Sequence, residues 1–246
     1  MGLVKAEPYD WPYDDRIVSE KSALVLVDLQ NALFSLLARL EPADRGGPSP
    51  QGMIERLRKL LKVIREIEGF TILYTREGHR PDLSDCPLNQ LWRHGGHEGI
   101  LIRGTHEWEI LGVLSPRHQE IVIDKPGKSA FWATDLDMIL RTRGITHLIL
   151  AGLFTDGAVH STMREANDRG YECLLLEDCT ATADDGNYKG ALKTIKMSGG
   201  IFGAVTPSQN LIAALSFKEI LKPASFIGRE SEARGGRDGI GSGGAV

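Results

Sequence analysis

The chain has 246 residues, of which 41% are hydrophobic and 25% are charged, and its formal net charge is −4 at pH 7. A chain of this length can bury roughly 70–75% of its unfolded surface, so we expect one large globular domain that needs no disulfide or metal to fold. The acidic balance argues against a nucleic-acid partner and against a polybasic membrane contact. No apolar run approaches the ~20 residues that cross a bilayer.

The cysteines predict neither a disulfide framework nor a zinc site. There are three, Cys86, Cys173 and Cys179, and they lack the number and the paired spacing that either would need. The first residues also lack the apolar stretch of a secretory signal. We therefore expect a cytoplasmic protein with reduced thiols.

Short apolar runs alternate along the chain with amphipathic stretches. The first run, 23–28, is rich in β-branched residues and is typical of a strand buried on both faces. A helix is predicted at 53–67, where apolar residues recur at helical spacing. Further strands are predicted at 70–75, 121–124, 147–152, 171–177 and 201–205, and further helices at 134–143, 158–169 and 187–197. This alternation predicts an α/β fold, a doubly wound parallel sheet with helices on both faces.

Three segments fall outside that alternation. Residues 41–52 and 76–106 are polar and rich in Gly, Pro and His, and loops of this length are usually functional or mobile. The last eighteen residues, 229–246, hold six glycines, so we expect a tail that is disordered unless a neighbouring subunit holds it. The predicted domain is therefore 1–228, followed by the tail.

The residues that directly follow the predicted strands are candidates for chemistry. In an open α/β sheet, ligands bind beyond the carboxyl ends of the strands, where the winding direction reverses. Asp28, Lys125 and the segment 155–158 occupy such positions. An acid, a base and a helix N-terminus together form a candidate active site, although Asp and Lys at strand ends are more often simply solvated.

Three blocks of sequence resemble the isochorismatase-like cysteine hydrolases in order and spacing. They are Val-Asp-Leu-Gln-Asn (27–31), Ile-Asp-Lys-Pro-Gly-Lys-Ser-Ala-Phe (123–131) and Gly-Leu-Phe-Thr-Asp-Gly-Ala-Val (152–159). Within that superfamily the chain looks most like the biuret hydrolase group, through 8–13, 74–83 and 162–179. The similarity extends from about residue 7 to about residue 215. It implies a three-layer sandwich and hydrolysis of a C–N bond in a small linear amide or ureide.

The resemblance also implies an Asp-Lys-Cys triad. Asp28 and Lys125 match its first two members, but Ala158 stands where the family has the nucleophilic cysteine. An alanine offers no nucleophile, so the chain as written is not expected to form a thioester. The family mechanism needs no metal and no cofactor.

Three explanations for Ala158 remain open. The first is that it is an engineered Cys→Ala change, which the intact neighbouring residues favour. The second is that the alanine is natural and the chemistry differs, as in true isochorismatases, which cleave a vinyl ether with the aspartate (here Asp28) as general acid. The third is that the protein is a catalytically dead paralogue that binds a ligand.

Further site residues are implied by position in the family pattern. Backbone N–H groups at Gly157 and Ala158 would hold the oxyanion, and a non-proline cis peptide would join Leu153 to Phe154. Candidate substrate contacts, each of which has a plain surface or core alternative, are Phe34, Arg76, His79, Lys128, Phe131 and Ser198.

Two departures from the biuret hydrolase pattern bear on the substrate. Residues 32–37 are apolar and helix-like where that group has a Gly-rich lid, and Ser198 replaces a glutamine that contacts the ureide. We therefore expect a substrate that is bulkier or less polar than biuret. The histidines His94, His97 and His106 lack ligand spacing and are expected to be solvated rather than to bind a metal. The expected partners are a small amide substrate and further copies of the chain, as a homodimer or homotetramer, a common assembly in this family.

Overall fold

The architecture is a parallel six-stranded sheet in a computed structural model, which describes residues 2–14, 16–93, 99 and 101–216. The strands are β1 (Ser22–Val27), β2 (Thr71–Glu77), β3 (Ile121–Lys125), β4 (His147–Leu153), β5 (Glu172–Ala181) and β6 (Ala204–Thr206). They lie in the order β3-β2-β1-β4-β5-β6, and every neighbouring pair is parallel. The predicted tail 229–246, the boundary near 228, and the histidines at 94 and 97 lie outside the described residues.

Helices cover both faces of this sheet. They are α1 (Asn31–Arg39), α2 (Pro50–Ile64), α3 (Leu88–Arg93), α4 (Leu136–Thr142), α5 (His160–Asp168), α6 (Asp185–Lys196) and α7 (Ser208–Ser216). Side chains of α1, α2 and α7 form one core with one face of the sheet, and those of α4, α5 and α6 form a second core with the other. The predicted doubly wound, three-layer α/β fold is confirmed.

Strict alternation along β1 explains why its sequence is apolar throughout. Leu24 and Leu26 belong to one core, whereas Ala23, Val25 and Val27 belong to the other. All six residues of the strand are buried. A strand with helices on both sides has no polar face, and its sequence therefore lacks the polar–apolar alternation of a half-exposed strand.

The winding direction reverses between β1 and β4. The chain moves outward from β1 to β2 and β3 on one side, and then returns to β4 and continues to β6 on the other. Gly152 on β4 has a φ of +125°, and a Cβ there would lie 2.0 Å from the carbonyl oxygen of Val27. Only glycine permits this approach of the two central strands, and the crevice at their carboxyl ends is the place where this fold binds ligands.

Most predicted boundaries shift by a few residues, for local reasons. The helix predicted at 53–67 is Pro50–Ile64, because Oγ of Ser49 accepts a hydrogen bond from the Gly52 N–H at 3.1 Å and Pro50 occupies the first turn, where a missing N–H costs nothing. The strand predicted at 171–177 continues to Ala181, and that at 201–205 is Ala204–Thr206. No helix in the described ranges is long and apolar enough to cross a membrane.

Candidate active site

Asp28 and Lys125 form a buried ion pair at the carboxyl edge of the sheet. Asp28 follows β1 and Lys125 ends β3, and β2 lies between these strands. The long lysine side chain spans that gap and brings Nζ to 2.7 Å from Asp28 Oδ2. The two side chains are only 0% and 1% exposed, so their attraction acts in a medium of low dielectric constant.

The buried ammonium of Lys125 is well satisfied. Nζ donates to the carbonyl oxygens of Gly127 at 2.9 Å and Lys128 at 3.0 Å. It also lies 3.4 Å from Oε2 of Glu77, the last residue of β2. A buried cation persists only when partners replace its lost hydration, and this one has two carbonyls and two carboxylates.

The Asp28 carboxyl has a raised pKa. Burial is the main cause, and the nearby Glu77 carboxylate adds to it, whereas Lys125 and the hydroxyl of Thr75 oppose it. Thr75 Oγ1 donates to Asp28 Oδ1 at 2.6 Å, while Oδ2 has the Lys125 ion pair but no hydrogen bond of good geometry from the described chain. The backbone at Asp28 has a φ of +51°, a conformation that Asp tolerates better than most residues. A carboxyl of raised pKa accepts a proton more readily than an ordinary aspartate and can return that proton to a leaving group.

Ala158 lies on a π-helical turn, Thr155–Val159, between β4 and α5. It is 4% exposed. Its carbonyl oxygen accepts a hydrogen bond from Thr162 Oγ1 at 2.7 Å, and the same oxygen of Thr162 accepts from the Ala130 N–H at 3.0 Å. Thr162 thereby connects the turn to the loop that follows β3, which also contains Lys128.

The remainder of this turn is held by hydroxyl contacts to β5 and to Thr182, the residue that follows it. Thr155 and Thr180 share a hydrogen bond of 2.9 Å, and Thr182 donates to the Asp156 carboxylate. The peptide bond between Leu153 and Phe154 is cis.

One predicted oxyanion donor is already engaged. The Gly157 N–H donates to the Phe154 carbonyl at 3.2 Å, and the Val159 N–H donates to the same oxygen at 3.0 Å. The π-helical turn directs both N–H groups back to Phe154, the residue before the turn. Gly157 is thus not a free donor in this structure, although it does line the cavity.

A cavity of about 440 Å³ lies against these groups. Its polar lining includes Asp28, Glu77, His79, Gln90, Lys128 and Asp156, and its apolar lining includes Leu33, Leu36, Leu101, Phe154 and Ala158. The volume suits a small molecule, and a few polar groups on an apolar wall are typical of ligand sites. Asp28, Lys128, His79, Phe154, Gly157 and Ala158 were all expected here from the sequence.

Three predicted substrate contacts lie outside the cavity lining. Arg76 is held by ion pairs to Asp124 at 2.8 Å and Glu109 at 2.9 Å, because alternation along β2 turns it away from Thr75 and Glu77. Phe34 packs against the core beneath α1, since Leu33 and Leu36 occupy the helix face towards the cavity. Phe131 is core and stacks on Tyr171 with the ring centroids 5.7 Å apart.

Ser198 is also remote from the cavity, and this prediction is corrected by the topology. It is exposed and lies directly after α6, with a φ of +53°. Helix α6 begins at the carboxyl edge of the sheet and carries the chain back to the opposite edge, where β6 starts. Within this chain, Ser198 therefore cannot reach a ligand beside Asp28.

Sequence reasoning missed Glu77 and Gln90. Glu77 ends β2, so the rule applied to the other strand ends would have found it once that boundary was known. Gln90 belongs to α3, which lies inside the segment predicted to be a loop, and its six residues carry no clear periodicity.

None of the three cysteines lines the cavity within the described chain. Cys173 and Cys179 are buried in the two cores, and burial raises the pKa of both thiols. Cys86 is partly exposed in the loop after β2, and burial again raises its pKa. These thiols are neither placed nor ionised to replace a nucleophile at position 158.

Fold and site together define a doubly wound α/β protein with a small-molecule pocket at its switch point and a buried carboxylate–ammonium pair whose carboxylate lines that pocket. The isochorismatase domain family matches residues 22–209. The chain belongs to this family of hydrolases, and that part of the predicted resemblance is confirmed.

Two curated relatives have names that specify a reaction. A ureidoacrylate amidohydrolase of Methylorubrum extorquens is 29% identical over 215 residues, covering 82% of this chain and 85% of that protein. Another, of Cronobacter sakazakii, is 31% identical over 211 residues, covering 80% and 89%. The likeness to the biuret hydrolase group stays a prediction.

Solved structures share the fold. N-carbamoylsarcosine amidase of Thermoplasma acidophilum superposes with a TM-score of 0.59 at 28% identity, covering 76% of this chain and 96% of that one. A cysteine hydrolase of Pseudomonas syringae gives 0.69 at 24% identity, covering 87% and 97%; at that identity the likeness concerns the fold alone.

Proposed function

We propose that this is the site of an amidohydrolase that cleaves a C–N bond of a small linear amide or ureide, with its nucleophile position occupied by alanine as an inactivating substitution. The observation that carries the proposal is one cavity lined by both Asp28 and Ala158, with Lys125 bound to the aspartate. Relatives named for ureidoacrylate and N-carbamoylsarcosine support the substrate class.

A cysteine at 158 would complete the chemistry. Asp28 would accept the thiol proton, and the thiolate would attack the carbonyl carbon to give a tetrahedral intermediate. The C–N bond would then break as Asp28 returns the proton to the leaving nitrogen, leaving a thioester and a free amine or ammonia. Water, deprotonated by Asp28, would hydrolyse the thioester and restore the thiol. Lys125 holds Asp28 in place and opposes the rise in its pKa.

The restoring substitution Ala158→Cys tests this proposal. We expect the revertant to release ammonia from members of a panel of ureides that includes biuret and N-carbamoyl amino acids, while the unchanged chain releases none. Ala183→Cys is a matched control, because Ala183 lines the same cavity from the segment after β5 and not from the turn itself, and a thiol there should give no turnover. A folded revertant that is silent across the panel would contradict the proposal.

A second candidate uses Asp28 without a nucleophile. Its raised pKa suits a general acid, which would protonate a vinyl ether as the C–O bond breaks. This function predicts that the unchanged chain cleaves isochorismate and that Asp28→Asn abolishes the reaction. Absence of that activity, together with tight ureide binding and an inactive Ala158→Cys revertant, would instead indicate a binding protein.

Assembly and location follow as further proposals from the family. We propose a homodimer or homotetramer in the cytoplasm. Light scattering on the full chain measures the mass, and the same measurement on a chain ending at Gly228 tests whether the glycine-rich tail contributes to association.

A further inference from the structure

The segment after β2 contributes to the cavity wall the side-chain amide of Gln90, which has no role in the proposed chemistry. Gln90 on α3 lines the cavity together with His79, which comes shortly after β2. The turn with Ala158 follows β4. Strands β2 and β4 flank β1, so their ends are two strand spacings apart, roughly 10 Å. A linear ligand whose carbonyl lies at Ala158 would therefore direct its far end towards Gln90.

His79 is fixed from several directions. Its backbone N–H donates to Leu101 O at 2.8 Å, and its carbonyl accepts from the Arg103 N–H at 2.9 Å. Its ring is only 3% exposed. Nε2 lies 3.0 Å from Gln90 Oε1, whereas Nδ1 is 3.4 Å from Asp85 Oδ1 and has no hydrogen-bond partner among the described residues. Among the described residues, the buried ring therefore forms its hydrogen bond with the amide of Gln90 and fixes the position of that amide.

This contact, together with the tautomer of His79, decides which end of the amide faces the ligand. In the His79 tautomer that carries its proton on Nε2, the ring donates to Oε1 of Gln90 and the amide oxygen accepts. The NH₂ group, which carries two donors and no acceptor, is then left for the cavity. Lys128 supplies a second donor on the same lining, with a side chain that is 56% exposed.

We propose that Gln90, oriented by His79, is a specificity-determining residue that donates to an oxygen at the far end of the ligand, either a carbonyl or a carboxylate. His79 acts through Gln90 and is a positioning residue. The assignment rests on the proposed function, because it takes the ligand to be a linear ureide. It adds a protein contact for the end of that ligand that the catalytic groups do not touch.

Isothermal titration of the unchanged chain, which lacks the nucleophile, tests the assignment without turnover. N-carbamoylglycine presents a carboxylate at its far end, and biuret presents a carbonyl. Gln90→Met keeps the length and loses both donors, so we expect binding of the preferred probe to weaken about tenfold. Gln90→Glu presents an acceptor instead, and we expect about a hundredfold loss for N-carbamoylglycine.

Asn89→Asp is the matched control. Asn89 is exposed on the same helix, outside the cavity lining, so this variant adds the same charge and should bind within about twofold of the parent. The assignment is overturned if both Gln90 variants bind like the parent. It is also overturned if Gln90→Glu binds more tightly, since the amide would then present its oxygen. If neither probe binds the unchanged chain, the ligand class of the proposed function fails, and this assignment fails with it.

The positioning role of His79 has its own readout. His79→Leu should weaken binding, and adding Gln90→Met should cause no further loss, because an unheld amide no longer contributes. His79→Gln keeps an N–H donor on a side chain of similar reach and should restore most of the affinity. Additive losses in the double variant, with circular dichroism showing a native fold, would mean that His79 has a structural role only.

Discussion

Among single residues, Lys125 carries the largest expected effect on stability. Lys125→Met removes the cation beside Asp28 and leaves that buried carboxylate without its charged partner, whereas Glu77 keeps its ion pair with Lys128. We expect the free energy of unfolding at neutral pH to fall by about 3–5 kcal/mol. Urea unfolding measures this loss.

The pH dependence of that loss has a definite sign. The Asp28 pKa is already raised by burial, and without Lys125 it rises further. Between the unfolded and folded pKa values the native state holds a proton that the unfolded state lacks, so stability is greater at the acidic end and is lost as pH rises through the folded pKa. The deficit of Lys125→Met should therefore shrink from pH 7 to pH 5. Lys128→Met, which breaks a more exposed pair with Glu77, should cost only about 0–1 kcal/mol; equal losses would contradict the distinction.

Thr75 lowers the pKa of Asp28 through a hydrogen bond. Thr75→Val removes the donor to Asp28 Oδ1 with little change of shape, and because that bond favours the ionised form, the pKa of Asp28 should rise further. In the Ala158→Cys background, the acidic limb of kcat/KM against pH should move to higher pH. Thr71→Val, a buried threonine at the start of the same strand, should leave the limb in place. An unmoved limb in Thr75→Val would show that Asp28 is not the group that titrates.

At the scale of elements, the turn after β4 depends on one hydroxyl of α5. Thr162→Val leaves the Ala130 N–H and the Ala158 carbonyl without their common partner in a buried position, so we expect a loss of about 1–3 kcal/mol in the free energy of unfolding. Thr194→Val is the matched control. Its hydroxyl also donates to the carbonyl four residues earlier, at 2.8 Å, but on the more exposed α6, and its loss should stay within about 0.5 kcal/mol. Similar urea midpoints for the two variants would argue against the buried bridge.

The elements also show why part of the site could be anticipated and part could not. Asp28, Lys125 and Ala158 lie at or after the ends of strands whose apolar runs can be recognised in the sequence, and parallel strands bring their carboxyl ends to one edge of the sheet. Gln90 sits on a six-residue helix that only tertiary packing defines. The family pattern predicted that Ser198 contacts the substrate. This was wrong, because helix α6 carries the chain to the opposite edge of the sheet before Ser198 is reached.

The predictions that Arg76 and Phe131 contact the substrate were wrong for a different reason. Alternation along β2 turns the Arg76 side chain away from the cavity, and packing in the core does the same for Phe131. Which face a side chain occupies depends on the residues that pack against it, and these are known only from the folded structure. The cores themselves were predictable, since β1 and α2 bury the apolar residues that their periodicities select.

For the whole molecule, the position of the cavity predicts a global response to ligand. Ala158 belongs to one core, whereas Leu33 and Phe154 pack against the other, so a ligand held between them stabilises both layers. A ligand that binds only the native state at about 100 times its Kd adds about 2.7 kcal/mol, which for a chain of this size raises Tm by roughly 5–10 °C. N-carbamoylglycine should give this rise in the unchanged chain and keep it over hours, while glycine at the same concentration should give none. In the Ala158→Cys revertant the rise should decay as ammonia appears, because the ligand is consumed. A rise that also decays in the unchanged chain would show that hydrolysis proceeds without a cysteine at position 158, and the mechanism would then have to use Asp28 alone.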